Sequence, residues 1–186
     1  MKTRSKISLF GGFVAALLFI AGMSLVEPSC EFQGEMLDDM EIAHIAYTAG
    51  TIDISYAHLA LAFSENPDVR EFAHTMIRDH SAVNEKALGL LKKLNATPKD
   101  NSTSQQLLAE AEKFKKELAE LDGEAFDKRY AENELGYHQF VNETLETQFI
   151  PAVQNEEFKG LLESALETFK IHEQHAERMT EMVGSK

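Results

Sequence analysis

Hydrophobic residues recur at intervals of three and four along four long segments of the chain, the spacing of one face of an α-helix. The pattern predicts long helices over about residues 37–63, 67–94, 124–149 and 156–182. A shorter helix is predicted over 104–121, after a polar loop. Asn66 and Pro67 suit the N-cap and first turn of the second long helix, and Pro151 is expected to end the third.

Strand patterns are nearly absent, so the sequence predicts an all-α protein whose four long helices form a four-helix bundle over residues 38–183. The connectivity also follows from the pattern. A helix over 104–121 would span about 27 Å, enough to carry the chain back along the bundle. We therefore expect an up-down-down-up order with a crossover helix, as in ferritin-like folds, in place of plain up-down-up-down.

The first 26 residues read as an export signal. Three basic residues (Lys2, Arg4 and Lys6) precede an apolar run over 7–26, which suits either a cleaved signal peptide or a retained membrane anchor. Cys30 raises a third alternative, a lipoprotein, although Glu27 stands where that signal has an aliphatic residue. Residues 27–37 are expected to be a linker. Each alternative places the bundle outside the cytoplasm, in the periplasm or cell envelope, with membrane contact through 7–26 if they are retained.

Charge and cysteine content exclude some classes of partner and site. The net charge of −13 argues against nucleic acid and against anionic membrane surfaces as partners. The single cysteine excludes an intramolecular disulfide and a zinc finger. No protein partner can be identified from the sequence.

Five polar residues lie on the apolar stripes of the four long helices, where a polar group must find a partner. With the crossover topology, all five fall about 10 to 14 residues from one end of the bundle, a spread of about 6 Å along its axis. They are Asp53, His80, Glu134, His138 and His172. His175, one turn beyond His172, could join them.

Imidazoles and carboxylates that meet inside a bundle favour a transition-metal site, for iron or zinc among others. Glu134 and His138 are spaced i, i+4 and so share one face. Asp79, although next to His80, is expected to point to the surface. Two Glu-x-x-His pairs, at 41–44 and 71–74, match the element of di-iron bundles but fall near opposite ends, so we interpret them as solvated surface.

A metal-free interpretation stays open. The same residues could form a buried hydrogen-bond network, with Asp53 bonded to His80 and Glu134 bonded to His172, that only sets the helix register of an envelope module. The chain has no serine or cysteine nucleophile motif and no glycine-rich phosphate loop. These absences favour a non-enzymatic role; an enzyme on this framework would be a metal-dependent oxidoreductase.

The sequence resembles a bacterial family known as a domain of unknown function, family 4142, over about residues 38–182. The resemblance rests on IDISYAHLAL, VREFAHTMIRDHSAVNEKAL, FDKRYAENELGYH and LETFKIHEQHAERM, one segment from each long helix. It implies a ferritin-like fold and export, often to the outer membrane, and no established reaction. Asp53 stands where the family usually has glutamate, and the Leu-Pro that often precedes the histidine of the last helix is absent.

Overall fold

A computed structural model describes residues 37–184, and every regular element in that range is helical. The helices are α1 (Asp39–Phe63), α2 (Pro67–Lys93), α3 (Ser102–Ala119), α4 (Gly123–Thr144), α5 (Ile150–Ala152) and α6 (Glu156–Gly184). The all-α prediction is therefore confirmed. The predicted signal or anchor over 1–26, nearly all of the 27–37 linker and Cys30 lie outside the described residues.

Polar caps set where the first helices begin. The Asp38 side chain accepts hydrogen bonds from two backbone amides of the first turn of α1, and Glu41 closes a capping box with it. Asn66 caps α2, and Pro67 occupies the first turn, where a missing N–H costs nothing. The tight Phe63–Pro67 connection turns α2 back along α1, as the sequence predicted.

Ring contacts fix the directions of the long helices. Phe63, at the end of α1, stacks on Phe126, near the start of α4, with centroids 5.7 Å apart. Phe72, near the start of α2, contacts Tyr130 of α4 and His175 of α6 at 6.2 and 5.2 Å. Helices α2 and α4 therefore run one way and α1 and α6 the other, which is the predicted up-down-down-up order.

Helix α3 makes the long connection between α2 and α4. At its start, Asn101 Nδ2 donates to the carbonyl of Glu41, and Ser104 Oγ lies 2.9 Å from His44 Nδ1. Further along, Phe114 meets Tyr56 edge to face at 5.0 Å. The start of α3 thus packs beside the start of α1, and α3 returns the chain parallel to α1, as the crossover requires.

The end of α4 differs from the prediction of one helix to about residue 149. Regular α-helix stops at Thr144, and Leu145–Phe149 form a π-helical turn before the short α5 that contains Pro151. Proline has no N–H and its ring crowds the carbonyl four residues earlier, so the wider turn accommodates it. The turn buries Leu145 and Phe149.

Large, fully buried side chains fill the bundle interior toward the α1–α2 turn. Fully buried Phe72, Phe126 and Tyr130 lie there with Met76 and Met179.

Among residues 37–184, no helix is both long and apolar enough to cross a bilayer.

Candidate metal centre

The four long helices bring the five predicted residues together in one cross-section. Asp53 Oδ2 lies 3.2 Å from His80 Nε2 and 3.4 Å from His138 Nε2. The rings of His80, His138 and His172 lie with their centroids 5.3 to 5.8 Å apart in pairs. All five side chains are buried.

These residues form two overlapping groups of candidate ligands. One contains His80, His138 and His172, and the other contains Asp53, Glu134 and His138. Within each group, one ligand atom per residue lies within 4.8 Å of the others. His138 belongs to both groups, so it lies at the centre of the arrangement.

Most of the polar atoms in this cluster have no hydrogen-bond partner. In residues 37–184, nine buried side-chain nitrogen and oxygen atoms are unpaired, and seven of them belong to these five residues. They are both oxygens of Asp53, both nitrogens of His80, Glu134 Oε2, His138 Nε2 and His172 Nδ1. Buried polar atoms without protein partners are rare in folded proteins, and a group of them is typical of a site that binds an ion or water.

Two hydrogen bonds determine which ring nitrogens of His138 and His172 have free lone pairs. His138 Nδ1 donates to the carbonyl of Glu134 at 2.9 Å, which leaves Nε2 as the free acceptor. His172 Nε2 donates to the carboxylate of Asp79 at 3.0 Å, which leaves Nδ1 free. Metal-ligating histidines are typically oriented in this way by an oxygen acceptor on the second nitrogen.

The prediction for Asp79 was wrong, because its side chain is only 24% exposed and reaches His172 across the α2–α6 contact. Arg78 donates to both of its oxygens, at 2.7 and 3.0 Å. The Arg78 guanidinium is the main cause that holds the pKa of Asp79 below its usual value, and His172 adds to it. Asp79 is therefore an anion that can stabilise positive charge on His172 or on a bound ion.

Burial shifts the pKa values of the cluster toward neutral forms. It raises the pKa of Asp53 to about 8, and burial together with Asp53 raises the pKa of Glu134 well above its ordinary range. Burial lowers the pKa of His138 to about 4 and that of His80 well below its usual value. Near pH 7 the imidazoles are therefore neutral, which is the form that binds metals.

Two distances in the cluster have the length expected around a transition-metal ion. Ligand atoms around a tetrahedral ion with metal–nitrogen bonds of 2.0–2.1 Å are about 3.3 Å apart. The two distances from Asp53 Oδ2, 3.2 Å to His80 and 3.4 Å to His138, have this length. Neither pair has the alignment of a hydrogen bond. Asp53 Oδ2, His80 Nε2 and His138 Nε2 are accordingly all without a hydrogen-bond partner. The arrangement suits coordination of a shared ion better than direct hydrogen bonding.

The alternative prediction was a metal-free network in which Asp53 bonds to His80 and Glu134 bonds to His172, and the structure shows only part of it. Asp53 and His80 are close but not aligned. Glu134 makes its side-chain contacts with Asn133, at 3.4 Å, and with His138 Nδ1, at 3.9 Å, and the predicted bond to His172 is not among them. The hydrogen bonds that His138 and His172 do make go to the backbone carbonyl of Glu134 and to the carboxylate of Asp79, and they orient the two imidazoles.

Other candidate residues lie outside the cluster. His175 is half-buried against Phe72 and belongs to neither ligand group. His44 is also half-buried, beside Ser104, so the prediction that it is solvated was wrong. Glu71 and His74 are exposed, as predicted.

Sequence reasoning missed two features of the site, Asp79 and the aromatic ring beside His80. Phe169 stacks on the His80 imidazole with centroids 4.5 Å apart and planes at 16°. Phe169 lies on the α6 stripe three residues before His172, so its spacing was visible. That its ring contacts His80 is visible only in the structure, where α2 and α6 lie side by side.

Comparison with known proteins supports the family expected from the sequence. The profile of the family described as Domain of unknown function (DUF4142) matches residues 28–179. Among solved structures, a crystal structure described as a secreted DUF305 protein from Streptomyces coelicolor is similar, with a TM-score of 0.66 and 11% identity over 77% of this chain and 92% of that one. At that identity the likeness shows the fold alone. No curated protein matches the chain. The extent of the family match shows that this chain belongs to the DUF4142 family, a domain of unknown function.

Proposed function

We propose that this chain is an exported helical protein that binds one transition-metal ion, iron or zinc, inside its bundle. His138 Nε2, His172 Nδ1 and one nitrogen of His80 would be ligands, and Asp53 would supply a carboxylate oxygen. Glu134 lies beside them and would add negative charge once the ion has displaced its proton. Neutral imidazole with carboxylate is a donor set that these metals accept.

The observation that carries the proposal is the set of seven unpaired polar atoms from five buried residues. Leaving such atoms without partners costs roughly 1–3 kcal/mol for each group. A divalent cation would pair with several of them at once and would displace the protons that Asp53 and Glu134 hold near neutral pH. With the ion bound, the polar cluster at the centre of the bundle would no longer lower the stability of the fold.

Export is supported by the basic and apolar start of the chain, and by the similar fold of a protein described as secreted. The crossover topology, with imidazoles and acids projecting inward from all four long helices, supports a ferritin-like arrangement. The donor set has more histidine than the carboxylate-rich di-iron centres of such bundles. That difference favours sequestration or storage of one ion, or a redox reaction at a single iron.

The test is the metal content of the full chain purified without a polyhistidine tag. About one equivalent of iron or zinc should copurify or bind in titration, and the His80→Ala variant should lose it. His58→Ala is the matched control, because His58 is exposed on α1 and its removal should change nothing.

Protein without metal, with a melting temperature unaffected by added zinc or iron(II), would reject the proposal. In that case His138→Ala should lower the melting temperature with no metal effect, as expected for a purely structural network.

A further inference from the structure

An apolar cavity of about 60 Å³ lies in the half of the bundle away from the α1–α2 turn. It is lined by the first half of α1, the second half of α2, the end of α4 with its π-helical turn and the first half of α6, and Leu107 of α3 completes the wall. The wall consists almost entirely of carbon atoms. This half of the bundle is therefore less closely packed than the half around Phe72.

Small side chains leave this space. Where a bundle normally interdigitates large residues, five alanines and a glycine face the cavity: Ala43, Ala46, Ala49, Gly50, Ala87 and Ala165. A Cβ at Gly50 would lie 2.7 Å from Asn84 Oδ1, so the Asn84 side chain packs directly against the backbone of α1 at this point. The π-helical turn adds Leu145 and Phe149 to the wall, and such turns are frequent at functional sites.

The size and chemistry of the cavity define the class of ligand. One water requires about 10–15 Å³ of such space and two to four polar partners, so the volume is sufficient for several atoms while the wall is mostly unsuited to water. An apolar cavity of 150 Å³ in another protein stays dry and binds benzene or xenon. This smaller cavity suits a molecule of only a few heavy atoms.

The cavity reaches the candidate metal centre through two residues. His80 and Phe169, whose rings stack, both line its wall, and His80 also belongs to the ligand cluster. At another point the wall includes Phe140, an aromatic residue that is 46% exposed. The cavity therefore extends from a surface aromatic residue to the imidazole of the site.

We propose that this cavity binds a small, uncharged, apolar molecule of about the size of dioxygen and holds it against His80. Its position beside a metal rests on the proposed function, whereas binding in the cavity does not.

Methyl NMR of the full chain under xenon and under dioxygen pressure tests the proposal. Leu162 and Leu118 are matched probes, because both are buried but only Leu162 lines the cavity. Xenon should shift the Leu162 methyl signals, and dioxygen should increase their relaxation, well beyond the effects at Leu118. Equal effects at the two leucines, or an ordered water filling the space in a high-resolution crystal structure, would overturn the proposal.

Filling the cavity gives the second test. Ala165→Leu should abolish the xenon shift at Leu162 and keep or raise the melting temperature. Ala176→Leu is the matched control on α6, because Ala176 is fully buried in the close-packed half and the added atoms have no room. If both substitutions lower the melting temperature equally, the cavity is not there.

Metal titration of Ala165→Leu separates the two proposals. The metal content should equal that of the unsubstituted chain, because Ala165 is not a ligand. Xenon binding in a chain that binds no metal would remove the proposed function and leave the apolar site. A chain that binds metal but not xenon would reject the apolar site and leave the proposed function standing.

Discussion

Replacing Asp79 by asparagine should weaken metal binding while leaving the fold intact. The carboxylate of Asp79 accepts the Nε2 proton of His172 at 3.0 Å and so keeps Nδ1 free for an ion. Asparagine is nearly the same size and can still offer an oxygen. It removes the negative charge and the paired contacts with Arg78.

The size of the effect follows from this geometry. Mutation of the residue that orients a ligating histidine typically lowers metal affinity about 10- to 100-fold, or about 1.4–2.7 kcal/mol, and here the partner loses its negative charge. Asp79 is 24% exposed and its Arg78 partner is 70% exposed, so their ion pair adds at most about 1 kcal/mol to stability. The affinity should therefore change far more than the melting temperature of the metal-free protein.

The assay is a competition titration of zinc against a chromophoric chelator, with thermal unfolding in a chelator as the stability measurement. Glu85→Gln is the matched control, because it makes the same charge change at an exposed position of α2. The reasoning would be refuted if Asp79→Asn bound zinc within a factor of two of the unsubstituted chain. Equal losses of affinity in both variants would point to general electrostatics instead.

Three further predictions concern stability. In chelator, the free energy of unfolding should fall as the pH rises from about 6.5 to 8, because folded Asp53, with a pKa of about 8, still holds a proton that the unfolded carboxyl has lost. Between about pH 4 and 6.5 folded His138, with a pKa of about 4, has the opposite effect and offsets it. A free energy of unfolding from urea titrations that stays constant or rises between about pH 6.5 and 8 would contradict this. Phe72→Ala should cost about 3–5 kcal/mol in urea unfolding, whereas Phe140→Ala, at a 46% exposed side chain, should cost far less. Removing the α1 cap with Asp38→Ala should cost about 1 kcal/mol, and an unchanged urea midpoint would show that the capping box contributes nothing.

Local rules were sufficient to predict the helices and much of the site. The i, i+3 and i, i+4 spacing defines each apolar stripe, and a polar residue on a stripe is visible in the sequence itself. The length of the connecting helix then determined the chain order, and the order determined which stripes share a level. Asp53, His80 and His138 could be placed together for that reason.

The missed features depend on how helices pack against one another. Asp79 immediately precedes His80, so it lies about 100° around the helix from the apolar stripe of α2. That position predicts a solvent-exposed side chain until α6 is placed along the same edge. The cavity was missed for the same reason. When each helix is considered alone, alanines such as Ala46 and Ala165 look like ordinary core residues. Only the assembled bundle shows that they line the same cavity.

The central claim is that side chains from four helices hold one ion, and X-ray absorption spectroscopy of the zinc-loaded full chain tests it most directly. The account predicts one shell of about four nitrogen and oxygen ligands at about 2.0–2.1 Å, with the outer-shell scattering of about three imidazoles that diminishes in the His138→Ala variant. A spectrum of oxygen ligands alone, or one that His138→Ala leaves unchanged, would contradict it.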